Sequence, residues 1–323
     1  MDVSAILAEW GLYYLNEGQN KNRILAMLSQ GLETPKYCTP IKTDETIYKL
    51  ATLRIGDIVQ AFQKGWTPKS DIAFKPNKIE LVHFKVDLEI WPDDVEASWL
   101  GFLASDSINR KDWPLIKFIL EHPDQGLITA INRDMENKEY GKGVQADVVS
   151  GTAGVTGQTM NGLIHLLQTG VNNDTINSVN IGPLDKDNIF DQVEAFVDGI
   201  SEIYQNTAMN VHMSPKWAKL YHRDKRSQGF YTIASDAQIK ANIDFMPQMV
   251  VPLPSLSGTD VIFATPKANL LHITKKLANK TNIKLEESKR TVNMLADWWE
   301  GIGFGIDAAV WTNTQPEASG SGS

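Results

Sequence analysis

Residues 78–91, KIELVHFKVDLEIW, carry the clearest strand pattern in the sequence. Apolar side chains alternate there with charged or polar ones, and this period of two puts them on opposite faces of a strand. The apolar positions are Val82, Phe84, Val86, Leu88 and Ile90. The run is long, because about five or six residues is usual for a strand. It predicts a projecting hairpin, whose second strand we place at residues 55–63 and whose tip we place within residues 65–77.

The chain before this strand combines predicted helices with an arm. Residues 2–16 and 22–30 have apolar side chains at helical spacing, and Gly31 fits a helix end. Residues 32–46, LETPKYCTPIKTDET, contain two prolines and no clear period. We therefore expect an extended arm there rather than a packed element.

The chain after the strand mixes helices and strands without regular alternation. Residues 112–140 predict a long helix that Pro123 bends. Further helices are predicted after Asp187, after Ser214 with Pro215 at the first helical position, and after Thr265 with Pro266. Short strands are predicted at 176–182, 208–213, 259–264 and within 282–313. This order of elements predicts an α+β fold.

Composition limits the possible classes of protein. Of 323 residues, 42% are hydrophobic and 22% are charged, as in globular proteins. The net charge of −8 argues against a basic surface dedicated to nucleic acid. The single cysteine, Cys38, cannot form an internal disulfide. Neither a signal peptide nor a membrane segment is predicted, and residues 316–323, PEASGSGS, have the composition of a flexible tail.

The stretch GTAGVTGQT, residues 151–159, is the strongest candidate for chemistry, because glycine-rich loops can cradle phosphate. A Walker A loop needs a lysine after its last glycine, and Gln158 stands there. Gly151 and Gly157 are also one residue too far apart for that motif. We favour a small-residue connection between two substructures. A nucleotide-binding hydrolase remains an alternative of a different class.

Other signs of catalysis or metal binding are weak. The histidines lack the spacing of a zinc site, and we expect no metal or cofactor. His83 lies among charged residues and is predicted to be solvated, whereas His272, among apolar neighbours, is predicted to be structural. The adjacent Trp298 and Trp299 would face opposite sides of a strand, so at least one meets another layer or chain. The sequence thus predicts a protein that is not an enzyme.

Four blocks in order resemble the major capsid proteins of tailed bacteriophages, which have the Hong Kong 97-type fold. The blocks are KVDLEIWPDDVEASWLGFLAS (85–105), MSPKWAKLYHRDKR (213–226), PLPSLSGTDVIFATPKANLL (252–271) and KRTVNMLADWWEGIGFGIDAAVWTN (289–313). They look closest to capsid proteins of phages that infect Bacteroidetes-type hosts. An encapsulin-like compartment shell, which has the same fold, is the alternative within the resemblance.

The resemblance implies a layout for the whole chain. In order, it has an N-terminal arm (1–49), an extended loop (50–91), a peripheral domain with the spine helix (92–149), an axial domain (150–279), peripheral return strands (280–315) and a flexible tail (316–323). Subunits of this kind assemble into pentamers and hexamers of an icosahedral head around double-stranded DNA, which they bind without sequence specificity. Scaffolding, portal and possible decoration proteins are the further partners, and the location is the virion, assembled in the host bacterial cytoplasm.

The same layout implies residues at contacts between subunits. They are Val82, Phe84, Val86, Trp91, Trp66 and Phe74 of the extended loop, together with Arg223 and Arg226 of the basic run HRDKR. Because extended segments become stable by lying on a neighbour, we expect the loop residues to lie on another copy of the chain. For the two arginines we expect a salt-bridge patch at a protein interface.

Overall fold

The computed structural model describes residues 31–55, 59–67, 69, 72–105, 115–122, 126–228, 243, 247–276 and 282–317. These residues form mixed helices and sheets, and the predicted α+β class is confirmed. The helices predicted at 2–16 and 22–30, the predicted tail beyond residue 317 and Pro123 lie outside the described residues.

The strands are β1 (Thr39–Thr43), β2 (Ile47–Ile55), β3 (Ile72–Glu80), β4 (Val82–Ile90), β5 (Asn177–Ser178), β6 (Asn210–Met213), β7 (Met249–Pro252), β8 (Phe263–Thr265), β9 (Leu270–Lys275), β10 (Asn282–Ser288), β11 (Thr291–Phe304) and β12 (Trp311–Thr312). The helices are α1 (Pro92–Ser105), α2 (Leu115–Glu121), α3 (Leu127–Asp134), α4 (Leu163–Asn172), α5 (Ile189–Asp198), α6 (Glu202–Gln205) and α7 (Pro215–Ser227). A π-helical turn, Met135–Tyr140, continues α3.

The main sheet is organised around β11, which pairs antiparallel with β4, β10 and β9. Strand β1 extends this sheet by pairing parallel with β9. Residues 32–46 therefore contain a strand that packs into the sheet. The chain is extended there, as predicted, but the expectation that it is not a packed element is wrong for β1. The arm joins the sheet because the backbone of Thr39–Thr43 pairs with the backbone of residues Leu271 to Lys275.

The hairpin is formed by other strands than the sequence predicted. Strand β2 pairs with β3 from Ile47↔Glu80 to Ile55↔Ile72, so the strand placed at 55–63 is wrong. Strand β4 does not continue the hairpin, because it pairs with β11 from residue 82 to residue 90. The run 78–91 is thus two strands broken at Leu81. The apolar alternation changes phase there, since Leu81 and Val82 are both apolar.

The base of the hairpin packs on one face of the main sheet. Ile79 and Leu81 form a buried cluster with Leu271 and Ile273 of β9, and Trp299 packs against it. Gly301 makes this approach possible, because a Cβ there would lie 2.6 Å from the backbone oxygen of Glu80. The hairpin is therefore fixed at its base.

The other face of the main sheet packs against the α3 region. Phe84 and Trp298 stack there with ring centroids 5.4 Å apart. Phe84 belongs to a large apolar cluster that also contains Met135 and Tyr140, and Trp298 packs against this cluster. Trp298 and Trp299 therefore face opposite layers, which confirms that prediction.

A second sheet has the strand order β5-β12-β8-β6-β7 and packs against α5 and α7. The start of α7 is as predicted: Ser214 is the N-cap, its hydroxyl accepts from Trp217 N, and Pro215 begins the helix. The predicted cap of α5 is wrong. Instead of Asp187, the buried carboxylate of Asp224 accepts from the backbone N–H of Phe190 at 2.9 Å.

Two further segments differ from the sequence prediction. The helix expected after Pro266 is only a short 3₁₀ turn, Lys267–Asn269. Strand β9 follows it, and it is a strand because its backbone forms hydrogen bonds with β1 on one edge and β11 on the other. Helix α1 was not predicted. The expected long helix over 112–140 is two separate helices, α2 and α3, and the π-helical turn continues α3. The described residues between α2 and α3, His122 and Gly126, are not helical.

Candidate assembly surfaces

The tip of the β2–β3 hairpin exposes large apolar side chains. Within residues 59–67, Val59, Phe62 and Trp66 expose 86%, 93% and 92% of their surface. The tip is closed by a hydrogen bond from Lys69 Nζ to Val59 O at 2.9 Å. Exposed apolar clusters of this kind mark surfaces for a partner. Trp66 thus lies on the hairpin tip, where the sequence placed it.

The other predicted contact residues of the loop lie in different surroundings. Phe74 is in β3, where its backbone pairs with Leu53, and its side chain lies outside the described part. Trp91 connects β4 to α1 and is 52% exposed. It remains accessible to a neighbour, and its contact with another subunit stays a prediction.

Val82, Phe84 and Val86 lie on β4 and not on a projection. Phe84 is only 5% exposed, because its own chain covers it through Trp298 and the surrounding core. Val82 and Val86 are half-buried. The structure therefore brings these three residues to the helix face of the main sheet, away from the hairpin tip. Their contact with another copy stays a prediction.

A groove opens on this helix face, between β4 and helices α2 and α3. Its volume is 360 Å³. Most of its lining is apolar and comes from alternate residues of β4 and one side of α3, namely Phe84, Val86, Leu88, Ile90, Leu127, Ala130 and Ile131. Leu88 is 41% exposed although it lies beside the buried core. The even-numbered apolar residues of β4 signal the strand side of this groove in the sequence, whereas no sequence pattern signals the helix side.

Arg223 and Arg226 are both exposed on α7. They lie three residues apart, which puts them on neighbouring positions of one helix face. Asp224, between them in sequence, points inward and caps α5. The two arginines are thus available to a partner, and their salt-bridge role stays a prediction.

A buried carboxylate anchors the arm. Glu136, in the π-helical turn, accepts from the backbone N–H of Thr34 at 3.1 Å and of Glu33 at 3.2 Å. The Thr34 hydroxyl donates to the same carboxylate and lies 2.8 Å from Ser255 Oγ. Burial raises the pKa of Glu136, and the donors from Thr34 and Glu33 partly offset that rise. The start of the arm is thereby joined to the α3 region.

A second buried carboxylate joins β11 to its neighbours. Glu300 accepts hydrogen bonds from Tyr140 Oη and, at 3.1 Å, from Trp298 Nε1, and it pairs with His272 Nε2. Burial alone would raise the pKa of Glu300, but His272 and the donors hold it below the usual value. Burial and the facing Glu300 raise the pKa of Tyr140. His272 is structural, as predicted.

The segment containing GTAGVTGQT is anchored at its base. The buried Glu139 carboxylate accepts from the backbone N–H of Gly157 at 2.7 Å and of Met160 at 3.3 Å. Val144 N also donates to Gly157 O at 3.0 Å. The Gly157 N–H, which a phosphate cradle would use, thus already donates to a carboxylate, and the negative charge of that carboxylate would repel an anion. The geometry does not favour nucleotide binding by residues 151–159.

Within the described ranges, no group of three or more His, Cys, Asp or Glu side chains could hold a metal ion. In the same part of the chain, no helix is long and apolar enough to cross a membrane. Cys38 is buried, which raises its pKa above the usual value, as do Glu136 and Glu300 nearby. A buried thiol of raised pKa is a poor nucleophile.

Comparison with solved structures identifies the architecture. The chain is similar to a chain of the satellite phage P4 procapsid, in a structure that includes the size determination protein. The TM-score is 0.53 at 13% identity, and the match covers 90% of this chain and 89% of that one. The chain has the Hong Kong 97-type capsid fold.

Two further structures are similar at lower TM-scores. The capsid of Myoviridae phage XM1 gives 0.49 at 11% identity over 90% of this chain and 92% of that chain. The virus-like particle from Pyrococcus furiosus gives 0.47 at 8% identity over 90% and 96%. No protein-family model and no curated protein matches the sequence. In these comparisons, the similarity to capsid proteins is thus one of structure.

Proposed function

We propose that the protein is the major capsid subunit of a tailed bacteriophage, a structural protein and not an enzyme. Many copies assemble, as pentamers and hexamers, into an icosahedral head that encloses double-stranded DNA. The observation that carries this proposal is the capsid fold, which the chain shares with a phage procapsid chain over 90% of its length. The exposed apolar hairpin tip supports it, because such a surface needs a partner.

The parts of the chain take the roles that the resemblance implies. We assign the N-terminal arm, the spine helix at α2 and α3, the axial domain at 150–279 and the return strands at 280–315. The extended loop is best placed at residues 47–80 instead of 50–91, since β4 belongs to the main sheet. In the shell, the hairpin tip lies on another copy of the chain.

The further partners follow from the same proposal. Scaffolding, portal and decoration proteins would bind the shell, and the packaged DNA would be held without sequence specificity. The net charge of −8 fits a container that does not bind its genome tightly. The location is the virion, after assembly in the cytoplasm of a host of the Bacteroidetes type.

Negative-stain microscopy of the purified protein, with its sedimentation profile, tests the proposal. Closed shells, tubes or five- and six-membered rings are expected. Trp91→Asp should block these assemblies while the monomer stays folded, because Trp91 is half exposed and holds no core position. Normal shells from this variant would show that the strand connection at Trp91 is not a contact.

The same preparation distinguishes the alternatives. A shell that co-purifies with a protein cargo instead of DNA would identify an encapsulin-like compartment. Tight, magnesium-dependent nucleotide binding by a small species would favour the hydrolase and overturn the capsid proposal. We expect no such binding, because Glu139 occupies the Gly157 amide.

A further inference from the structure

We propose that one face of α7 contacts the phosphate backbone of the enclosed double-stranded DNA through a stripe of four cations. This basic stripe consists of Lys216, Lys219, Arg223 and Arg226. The inference rests on the proposed function, because it names the surface of the subunit that meets the enclosed DNA. The contact is electrostatic and does not read the base sequence.

The four cations of the basic stripe lie on one exposed face of α7. At about 100° per residue, their spacings of three, four and three residues keep them within about 80° of one another around the helix axis. All four side chains are exposed. The one acidic residue of α7, Asp224, is buried and accepts from Phe190 N. The exposed face of α7 therefore carries positive charge without a carboxylate of its own.

The basic stripe has no ion pairs. Other exposed lysines of the chain pair with a nearby carboxylate, namely Lys36, Lys78, Lys85, Lys138, Lys186 and Lys276. Among the described residues, no carboxylate lies at ion-pair distance from a stripe cation. Lys216 Nζ lies instead over the Trp217 ring, 4.8 Å from its centroid. The charge of the stripe is therefore available to a ligand from outside the chain.

Two carboxylates near α7 lie on one flank of the stripe. Asp185 shares a shallow recess with Lys216, Trp217 and Leu220. Asp260 accepts a hydrogen bond from Trp217 Nε1 at 2.8 Å. Around the helix axis, Trp217 and Leu220 lie on the side of Lys216 that is turned away from the other three cations. These acids therefore offset the charge at one edge of the stripe only.

The acidic residues of α5 lie on a different side of α7. The two helices pack through Phe190 and Tyr221, whose ring centroids are 5.6 Å apart. Tyr221 lies on the side of α7 opposite to the stripe. Residues 229–242 and 244–246, which are outside the described part of the chain, add one net negative charge through Asp236, Lys240 and Asp244. This charge is small against the four cations of the stripe.

The chemistry of this face fits phosphate better than a protein surface. No large apolar side chain of α7 is exposed. Protein interfaces are built around apolar and aromatic anchors and are depleted in lysine, whereas protein–DNA interfaces are polar and positively charged. The stripe extends about 15 Å along the helix axis, and this length of one DNA strand carries about four phosphates. The stripe thus offers about one cation to each phosphate.

The net charge of −8 does not prevent this contact. Exposed charges farther away than the Debye length, about 10 Å in 0.1 M salt, are largely screened. The DNA backbone therefore responds mainly to the cations in front of it. One subunit supplies only a few ion pairs, so its contact is weak and salt-sensitive, and the repetition of the stripe over many subunits strengthens it.

Fluorescence anisotropy of a short, labelled DNA duplex tests the proposal on the full-length protein, kept dilute and unassembled. The stripe variant combines Lys216→Gln, Lys219→Gln, Arg223→Gln and Arg226→Gln. The matched control has the same net charge and combines Lys36→Gln, Lys78→Gln, Lys85→Gln and Lys276→Gln, all at exposed positions outside α7. An oligoglutamate peptide is the second probe. Circular dichroism checks that each variant is folded.

We expect the logarithm of the DNA affinity of the wild type to fall against the logarithm of the salt concentration with a slope of about −3.6, since each phosphate contact contributes about −0.9. The stripe variant should lose this binding, and the matched control should keep it. Arg223→Gln alone should reduce the slope by about 0.9. Equal losses in the stripe variant and the control, or no binding by the wild type at low salt, would overturn the proposal. Oligoglutamate binding as tight as that of the duplex would also overturn it, in favour of an acidic protein partner.

Assembly is measured separately, by negative-stain microscopy of concentrated samples of the same proteins. If shells form but the wild type does not bind the duplex, the stripe proposal fails and the proposed function stands. If the duplex binds through the stripe but no shells, tubes or rings form, the phosphate contact stands and the proposed function fails.

Discussion

Replacing Phe84 by alanine should lower the free energy of unfolding by about 3 kcal/mol. The ring is 5% exposed and stacks on Trp298 at a centroid distance of 5.4 Å and an interplanar angle of 9°. Truncating a buried Phe typically costs about 3–5 kcal/mol. The lower end applies here, because one side of Phe84 borders the open groove and can relax.

Thermal melting of dilute, unassembled protein measures this loss, which corresponds to a fall in melting temperature of roughly 4 °C for a chain of this length. Leu88→Ala is the matched control on the same strand and face. It should cost only about 1 kcal/mol, because Leu88 is 41% exposed. Melting of Phe84→Ala at the wild-type temperature would refute the burial of this ring. Equal losses for both variants would refute an open groove at Leu88.

The remaining predictions concern backbone contact, a buried histidine and a helix cap. Gly301→Ala should destabilise the protein by about 1–3 kcal/mol in denaturant unfolding, because the new Cβ would lie 2.6 Å from Glu80 O. Gly101→Ala is the control and should not destabilise the protein in this way, because no atom lies within 4 Å of its Cβ. Burial lowers the pKa of His212 from 6.5 to about 3, so the unfolded chain binds the proton first as the pH falls. Between pH 6.5 and about 3, this histidine should therefore lower the stability by about 1.4 kcal/mol per pH unit. His212→Leu should remove this contribution from the pH slope, and an unchanged slope in the variant would contradict the assignment. Asp224→Ala should lower the free energy of unfolding by about 1–3 kcal/mol, because it removes the carboxylate that accepts from the Phe190 N–H. Asp224→Asn keeps an acceptor and should lower it less. Equal losses of stability in the two variants would show that the cap contributes little.

Much of the local structure could be predicted from the sequence. The alternation in 282–313 predicted the strands that became β10 and β11, and Ser214 with Pro215 predicted the start of α7. The opposite directions of Trp298 and Trp299 followed from the period of two. These features are local, because a strand or a cap depends on residues within a few positions of one another. The order of the sequence blocks indicated the capsid fold, which the structure confirms.

The pairing of strands could not be predicted in the same way. The run 78–91 reads as one strand, but β3 pairs with β2 and β4 pairs with β11, some 200 residues away in sequence. The period of two in the apolar residues shows that a strand has two different faces. It does not show which distant strand forms the backbone hydrogen bonds. The change of phase at Leu81 was the one local sign of the break.

The class of fold, most element types and the lack of a recognisable catalytic motif follow from the amino-acid sequence alone. Contacts between distant parts of the chain make residues 270–275 a strand and let Glu136 anchor the arm. They also cover Phe84, while Leu88 borders a groove. Local propensity at Pro266 favours a helix start, but two neighbouring strands offer β9 hydrogen bonds on both edges. Long-range contacts outweigh local preference wherever they satisfy more backbone groups and bury more apolar surface.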